Sequence, residues 1–192
     1  TVTNVEAILG GDYNDTLRGN GVDNLIEGRQ GDDWLMGREG NDTLDGGGGF
    51  DYVEYSYLQN GNGYDFVLGL VTMAVTVRGP NPAYSETDTV ISIGAYYGTA
   101  FADNISSSTA GRGDIFVAGL GNDTVSGNAQ DFDAVSYWDR SDSNFRINVD
   151  LGLLSNQVTI TKANDGGYLE IDTLPIITGL YGGAGDDTIT GS

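Results

Sequence analysis

Cysteine and histidine are absent from this 192-residue chain, proline occurs three times, and Lys and Arg together number 8 against 28 acidic residues. Without thiolate or imidazole, the usual ligands of zinc, copper and iron–sulfur centres are missing. Without cysteine no disulfide can staple the fold. A net charge of −20 argues against nucleic acid or an anionic membrane surface as a partner, since both reward basic side chains. Catalysis lacks its common parts too: there is no His base and no Cys nucleophile, and Lys162 is the only lysine. The expectation is a chain that is not an enzyme. No apolar run approaches the roughly 20 residues that span a bilayer. Thr1 to Leu9 has neither the basic segment nor the apolar run of a signal peptide. No segment sustains a helical period before Gly or Asn interrupts it.

Glycine and aspartate are abundant, and they recur in phase. Gly10-Gly11-Asp12-Tyr13-Asn14-Asp15-Thr16-Leu17 opens a series that continues as Gly19 to Leu25, Gly28 to Leu35, Gly37 to Leu44 and Gly46 to Val53. Its aspartates are Asp15, Asp23, Asp33, Asp42 and Asp51, each followed two positions later by Leu17, Leu25, Leu35, Leu44 or Val53. On this alignment Gly19-Asn20-Gly21-Val22-Asp23 is one residue short. A nonapeptide of the form Gly-Gly-x-Gly-x-Asp-x-apolar-x predicts a parallel β-helix that binds calcium. The glycines permit tight turns and let carbonyl oxygens converge. Those turns offer only carboxylate and carbonyl oxygens, which suits calcium with its six to eight hard ligands better than octahedral, water-retaining magnesium. A flexible linker would need no aliphatic at a fixed offset from each aspartate. High net charge with low hydrophobicity predicts a largely unfolded metal-free chain, to which calcium would supply folding free energy.

The pattern returns. Asp103 with Ile105, Asp114 with Phe116, Asp123 with Val125 and Asp133 with Val135 form a second, looser array, and Gly182-Gly183-Ala184-Gly185-Asp186-Asp187-Thr188-Ile189 opens a third. The leading turns align at Gly10, Gly98 and Gly182, the mark of a module duplication. Ordinary β-strand is predicted between arrays, over Phe66 to Leu70 with Met73 to Val77 and over Phe145 to Leu151 with Val158 to Thr161. Lone Asp88-Thr89-Val90 and Asp172-Thr173-Leu174 steps then lead into the next roll. The organisation reads as a first array with an aromatic cap over 1–60, a β spacer over 61–94, a degenerate second array with its cap over 95–140, a spacer over 141–178, and a truncated third array over 179–192. With the pattern already running at residue 10 and restarting in the last ten residues, the chain is expected to lie inside a longer polypeptide.

Over roughly two thirds of its length this organisation resembles the RTX, or hemolysin-type, calcium-binding family. The resemblance implies an all-β fold, a right-handed parallel β-roll (a β-helix or solenoid) in arrays with short intervening β segments. It implies that turns two repeats apart share one calcium, so that 10–15 pairs with 28–33, 19–24 with 37–42, and 28–33 with 46–51. It implies carbonyl ligands at the odd positions of each turn, together with the terminal carboxylate. Carried onto this chain, the candidate ligands are Gly10, Asp12, Asn14 and Asp15, then Gly19 and Asp23, then Gly28, Gln30, Asp32 and Asp33. They continue as Gly37, Glu39, Asn41 and Asp42, then Gly46, Gly48 and Asp51, with Asp103, Asp114, Asp123, Asp133 and Asp187 beyond. About three ions are expected in the first array and fewer in the second, where Gly98-Thr99-Ala100-Phe101-Ala102-Asp103 lacks the inner glycines.

Other motifs are absorbed by this reading. Arg112-Gly113-Asp114 spells an integrin tripeptide, but Asp114 is in phase with the repeat. Asn14-Asp15-Thr16, Asn41-Asp42-Thr43 and Asn122-Asp123-Thr124 fit a glycosylation pattern and are repeat turns. Asp32-Asp33 and Asp186-Asp187 are adjacent, so neither pair can flank a sugar bond as glycosidase carboxylates do. Eleven Tyr with Trp34 and Trp138 cluster near the ends of the arrays, as either structural caps or a polysaccharide platform. The function expected is a calcium-folded module of a larger secreted bacterial protein, exported by the type I route and acting in structure or adhesion. The alternative is a calcium-dependent module that binds an extracellular polysaccharide, similar to those attached to alginate epimerases.

Overall fold

The computed structural model describes residues 6–56, 65–68, 74–78, 85–107, 114–127, 133–137, 145–150, 157–162, 165–174 and 177–190. Among them every regular element is a strand, as expected of an all-β roll. The first array contributes β1 (Ala7–Leu9), β2 (Thr16–Arg18), β3 (Leu25–Gln30), β4 (Trp34–Met36), β5 (Thr43–Gly48) and β6 (Tyr52–Glu54). The first spacer adds β7 (Asp65–Leu68) and β8 (Ala74–Arg78), after which the chain re-enters the roll as β9 (Ser85–Ile91) and β10 (Ala95–Tyr97). The second array forms β11 (Asn104–Ser107), β12 (Ile115–Val117), β13 (Thr124–Ser126) and β14 (Ala134–Ser136). β15 (Phe145–Asp150) and β16 (Gln157–Lys162) make the second spacer, and β17 (Asp165–Thr173), β18 (Gly179–Tyr181) and β19 (Thr188–Thr190) follow. The spacer strands fall where the apolar alternation predicts them. Leu70, Met73 and Leu151 lie outside the described residues, as do Tyr57, Trp138, Arg112 and Gly113.

Roll strands alternate between two sheets. The seven-stranded sheet runs β18-β14-β12-β10-β6-β4-β2, parallel throughout. Its inward residues form one row, Leu17, Leu35, Val53, Tyr96, Phe116, Val135 and Leu180, each level with the next. The facing sheet carries Ile8, Ile26, Leu44 and Val90 in one row and Ile105 with Val125 in another. Among the described residues these rows meet as one hydrophobic core. Strands of three residues present one inward side chain each, because successive Cβ atoms point to opposite faces. The core is therefore thin for the length of chain it must order, and the turns carry much of the organisation.

The second sheet has twelve strands, β1-β3-β5-β9-β8-β7-β11-β13-β17-β16-β15-β19. Four of its strands come from the spacers: the antiparallel pair β7 and β8 is wedged between β9 and β11, and the antiparallel pair β15 and β16 between β17 and β19. Each wedge shifts the register. Ile105 is level with Phe66, Val77 and Glu86, not with Val90. Ile189 is level with Val149, Val158 and Asp172, not with Leu174. Both displacements are even, so the inward face of the roll strand is preserved, whereas an odd shift would turn its aliphatic outward.

Candidate metal centre

The turn over residues 28–33 shows how the sequence builds the site. Gly28 opens it, Arg29 and Gly31 take positive φ (82° and 113°), and Asp33 ends it fully buried. The same two turn positions are left-handed in the next turns, at Arg38 and Gly40 (77° and 127°) and at Gly47 and Gly49 (92° and 133°). Asp33 Oδ1 accepts the N–H of Asp15 at 2.8 Å, and the Asp33 N–H donates to Asp51 Oδ1 at 2.8 Å. The other edge repeats this, with the Asn24 N–H on Asp42 Oδ1 (2.8 Å) and the Asp42 N–H on Asp88 Oδ1 (2.9 Å). In the second array the N–H of Asp103 meets Asp123 Oδ1 (2.7 Å), that of Asp114 meets Asp133 Oδ1 (3.2 Å), and that of Asp123 meets Asp172 Oδ1 (2.9 Å). The expected pairing of turns 10–15 with 28–33, 19–24 with 37–42, and 28–33 with 46–51 is the stacking observed.

A second, exposed ladder runs the opposite way through the preceding residue. Asn14 Oδ1 accepts from the Asp32 N–H, Asp23 Oδ1 from Asn41, Asp32 Oδ1 from Phe50, Asn41 Oδ1 from Thr87, and Asn122 Oδ1 from Ile171. The Asn-Asp and Asp-Asp dipeptides thus divide their work: the first side chain ties the outer rim of the turn, and the second enters the interior. Asp23 belongs to the outer ladder, which corrects the alignment. The interior position of its turn is Asn24, 4% exposed, and the inward aliphatic is Ile26, 0% exposed, while Leu25 is 38% exposed. The turn over 19–24 has its full six residues, and nine residues separate every interior position from Asp15 to Asp51.

Asp33 Oδ2, Asp42 Oδ2 and Asp51 Oδ2 are buried and accept no hydrogen bond. A carboxylate oxygen in that state is destabilising unless a proton or a cation meets it. Burial raises the Asp42 carboxyl to about 7, with the Asn24 N–H pulling it down and the Asp88 and Asp23 charges pushing it further up. Burial likewise raises the Asp51 carboxyl, helped by the charge of Asp33 and opposed by the Asp33 N–H. Main-chain oxygens converge on the interior positions of several turns. A Cβ at Gly28 would lie 2.1 Å from Asp33 Oδ2 and 2.6 Å from the Gly46 carbonyl oxygen. At Gly10 the corresponding atoms are Asp15 Oδ2 and the Gly28 oxygen, at Gly19 they are Asn24 Oδ1 and the Gly37 oxygen, and at Gly98 they are Asp103 Oδ2 and the Ala118 oxygen. Among the described residues no three acidic side chains form a cluster. At Asp15 and Asp33 one carboxylate, and at Asn24 one amide oxygen, meets a backbone carbonyl from a stacked turn, a hard-oxygen set that fits calcium.

A family model, the RTX calcium-binding nonapeptide repeat, matches four copies over residues 5–23, 19–53, 108–131 and 180–192. The chain carries RTX calcium-binding repeats. No curated protein matches it. In the RTX turns Asp12, Gln30 and Glu39 have exposed side chains, while Gly37, Asp42, Gly46, Asp51, Asp103, Asp114, Asp123 and Asp133 are buried. Gly48 packs against Gln30, and Asp187 Oδ2 lies 2.3 Å from where a Gly182 Cβ would stand. The interior ladder also includes Asn24, Asp88 and Asp172, none of which is among the ligands expected from the repeat. For Asp88 and Asp172 the signal is the Asp-Thr-aliphatic step, which keeps the ladder residue and its inward neighbour without the preceding glycines, and for Asn24 it is the nine-residue interval from Asp15.

Proposed function

We propose that this chain is a noncatalytic, calcium-folded module of a larger secreted bacterial polypeptide, exported with its repeats unfolded and acting in structure or adhesion. The observation that carries the reading is the buried, hydrogen-bond-free oxygen of Asp33, Asp42 and Asp51, which at Asp33 lies where the Gly46 carbonyl of the stacked turn converges. Calcium, when bound, supplies the positive charge that lets those carboxylates be ionised and buried together. The residues that would hold it in the first array are Asp15, Asp33, Asp42 and Asp51, with carbonyls of Gly28, Gly37 and Gly46. With a thin core and a net charge of −20, the metal-free chain is held together weakly. Where calcium is scarce it stays open, and where calcium is abundant it closes. The described residues contain no helix long and apolar enough to cross a membrane.

Circular dichroism during calcium titration tests this: far-UV signal should pass from disorder to strand. A chelated sample that keeps its full strand signal would refute the switch.

The second reading is a calcium-dependent polysaccharide-binding surface, for which Trp34, Tyr52 and Tyr97 on the outer face of the seven-stranded sheet are the candidates. Trp34 stacks on Tyr52 with centroids 5.1 Å apart and planes 20° apart, and it meets Tyr97 at 4.7 Å. Trp34 Nε1 also donates to Glu54. The rings spend their faces on one another, which supports a structural role. A glycan array run with calcium and with chelator discriminates, since retention only with calcium would favour the polysaccharide reading.

A further inference from the structure

At three interior positions the carboxylate faces a hydroxyl of the protein itself. The Tyr55 hydroxyl donates to Asp88 Oδ2 at 2.9 Å, and the Tyr137 hydroxyl donates to Asp172 Oδ2 at 2.7 Å. These are independent occurrences, one in each module, and both tyrosines are buried, at 2% and 0% exposure. The third is Thr99, itself 2% exposed. Its N–H donates to Asp103 Oδ2 at 2.6 Å, and its hydroxyl lies 2.8 Å and 3.0 Å from the two Asp103 oxygens. Elsewhere in the same ladder, at Asp33, Asp42 and Asp51, the second oxygen has no such donor.

The positions of these hydroxyls matter more than their number. Asp88 lies within β9 and Asp103 immediately precedes β11, the roll strands on either side of the first wedge, and Asp172 lies near the end of β17 beside the second. On the facing sheet the ladder position between Asp88 and Asp103 is Gly94, stacked on the Asp51 carbonyl, and the one after Asp172 is Thr178, stacked on Asp133. Neither has a carboxylate. The Phe50 ring fills the space beside Gly94, 2.7 Å from where a Cβ would stand.

We infer that Tyr55, Thr99 and Tyr137 are internal plugs, hydroxyls that close Asp88, Asp103 and Asp172 to calcium so that the ion enters the roll in separate blocks. A donated hydrogen turns its positive end toward the lone pair a cation needs, and a buried tyrosine ring leaves no room for the rest of a coordination shell of six to eight oxygens. Over residues 88–103 the roll then holds its register through protein–protein hydrogen bonds alone. This is where the antiparallel wedge interrupts the stacking that a shared ion requires. The inference rests on the reading of the remaining turns as calcium sites.

Anomalous diffraction from crystals of the intact chain grown with calcium, or with terbium in its place, tests it directly. Peaks are expected beside Asp33, Asp42 and Asp51, with none in coordination range of Asp88, Asp103 or Asp172. A peak at any of those three overturns the plugs, while a map empty at Asp33, Asp42 and Asp51 as well overturns the calcium reading beneath them. Native mass spectrometry supplies a count in solution. Asp88→Asn and Asp172→Asn should bind as many ions as the parent, whereas Asp42→Asn should lose one; loss of an ion in Asp88→Asn or Asp172→Asn refutes the inference. Asn24 shows that the ladder accepts asparagine at this position.

Discussion

The two arrays perform the same stacking with different regularity. In the first, five turns follow at nine-residue intervals from Asp15 to Asp51, counting Asn24. In the second, stacked partners are 20 residues apart for Asp103 and Asp123 and 19 for Asp114 and Asp133, yet the same N–H to Oδ1 bonds form. The register therefore resides in the Asp-x-aliphatic triplet, which pins one hydrogen bond and one inward side chain, while extra residues are accommodated between triplets. The arrays also differ by one turn, five against four. As a result Gly10 leads from the twelve-stranded sheet to the seven-stranded one, whereas Gly98 and Gly182 lead the other way. An alignment of the duplicated modules by their leading glycines thus matches turns on opposite edges of the roll.

The largest expected effect tests whether the triplet sets the register. Ile26→Ala should cost about 2–5 kcal/mol, as for other buried aliphatics, while Leu25→Ala should cost under about 0.5 kcal/mol. Urea midpoints in saturating calcium would measure both, and the reverse order would restore the Asp23 alignment. Next, Gly28→Ala places a methyl against Asp33 and the Gly46 carbonyl and should cost about 1–3 kcal/mol. Terbium luminescence should show that the loss falls on calcium binding in the first array while the second still loads.

Acid should have an unusual effect on the metal-free fold. Asp42, raised to about 7 in the fold against 3.8 in the open chain, binds more protons folded than unfolded between those values. Metal-free strand content should accordingly rise as pH falls from 8 toward 5, and calcium affinity at that turn should fall by up to about tenfold per unit below 7. Circular dichroism and calorimetry over that range would show both trends, and a metal-free fold that melts on mild acidification would contradict them. The smallest effect concerns backbone strain at a turn of the first array. Arg29 holds φ at 82°, where its second-array counterpart is Gly119 at 96°. Arg29→Gly should stabilise the loaded form by about 1 kcal/mol in the same urea assay.

Much of this was legible in the chain because the repeat is local. A turn needs its glycines, the aspartate must enter the interior, and the aliphatic two residues on must face the core, so fold and metal both follow from spacing. Asp23-Asn24-Leu25-Ile26 resisted, since Asp23 with Leu25 and Asn24 with Ile26 are equally good readings locally. The nine-residue interval favours Asn24, and the hydrogen bond to Asp42, 18 residues away, places it in the interior ladder. Asp88 and Asp172 resisted for a related reason: their ladder partners lie 46 and 49 residues distant, across a spacer whose length carries no periodic signal.

By itself the amino-acid sequence determined a parallel roll of calcium-binding repeats, because oxygen-only turns at a nine-residue period admit few other solutions. The tertiary structure alone decided which carboxylates meet a hydroxyl of the protein and which do not. That depends on what is packed against each second oxygen, a carbonyl of the next coil at Asp33 or a hydroxyl from 33 residues away at Asp88, and such partners meet only after the chain has wound.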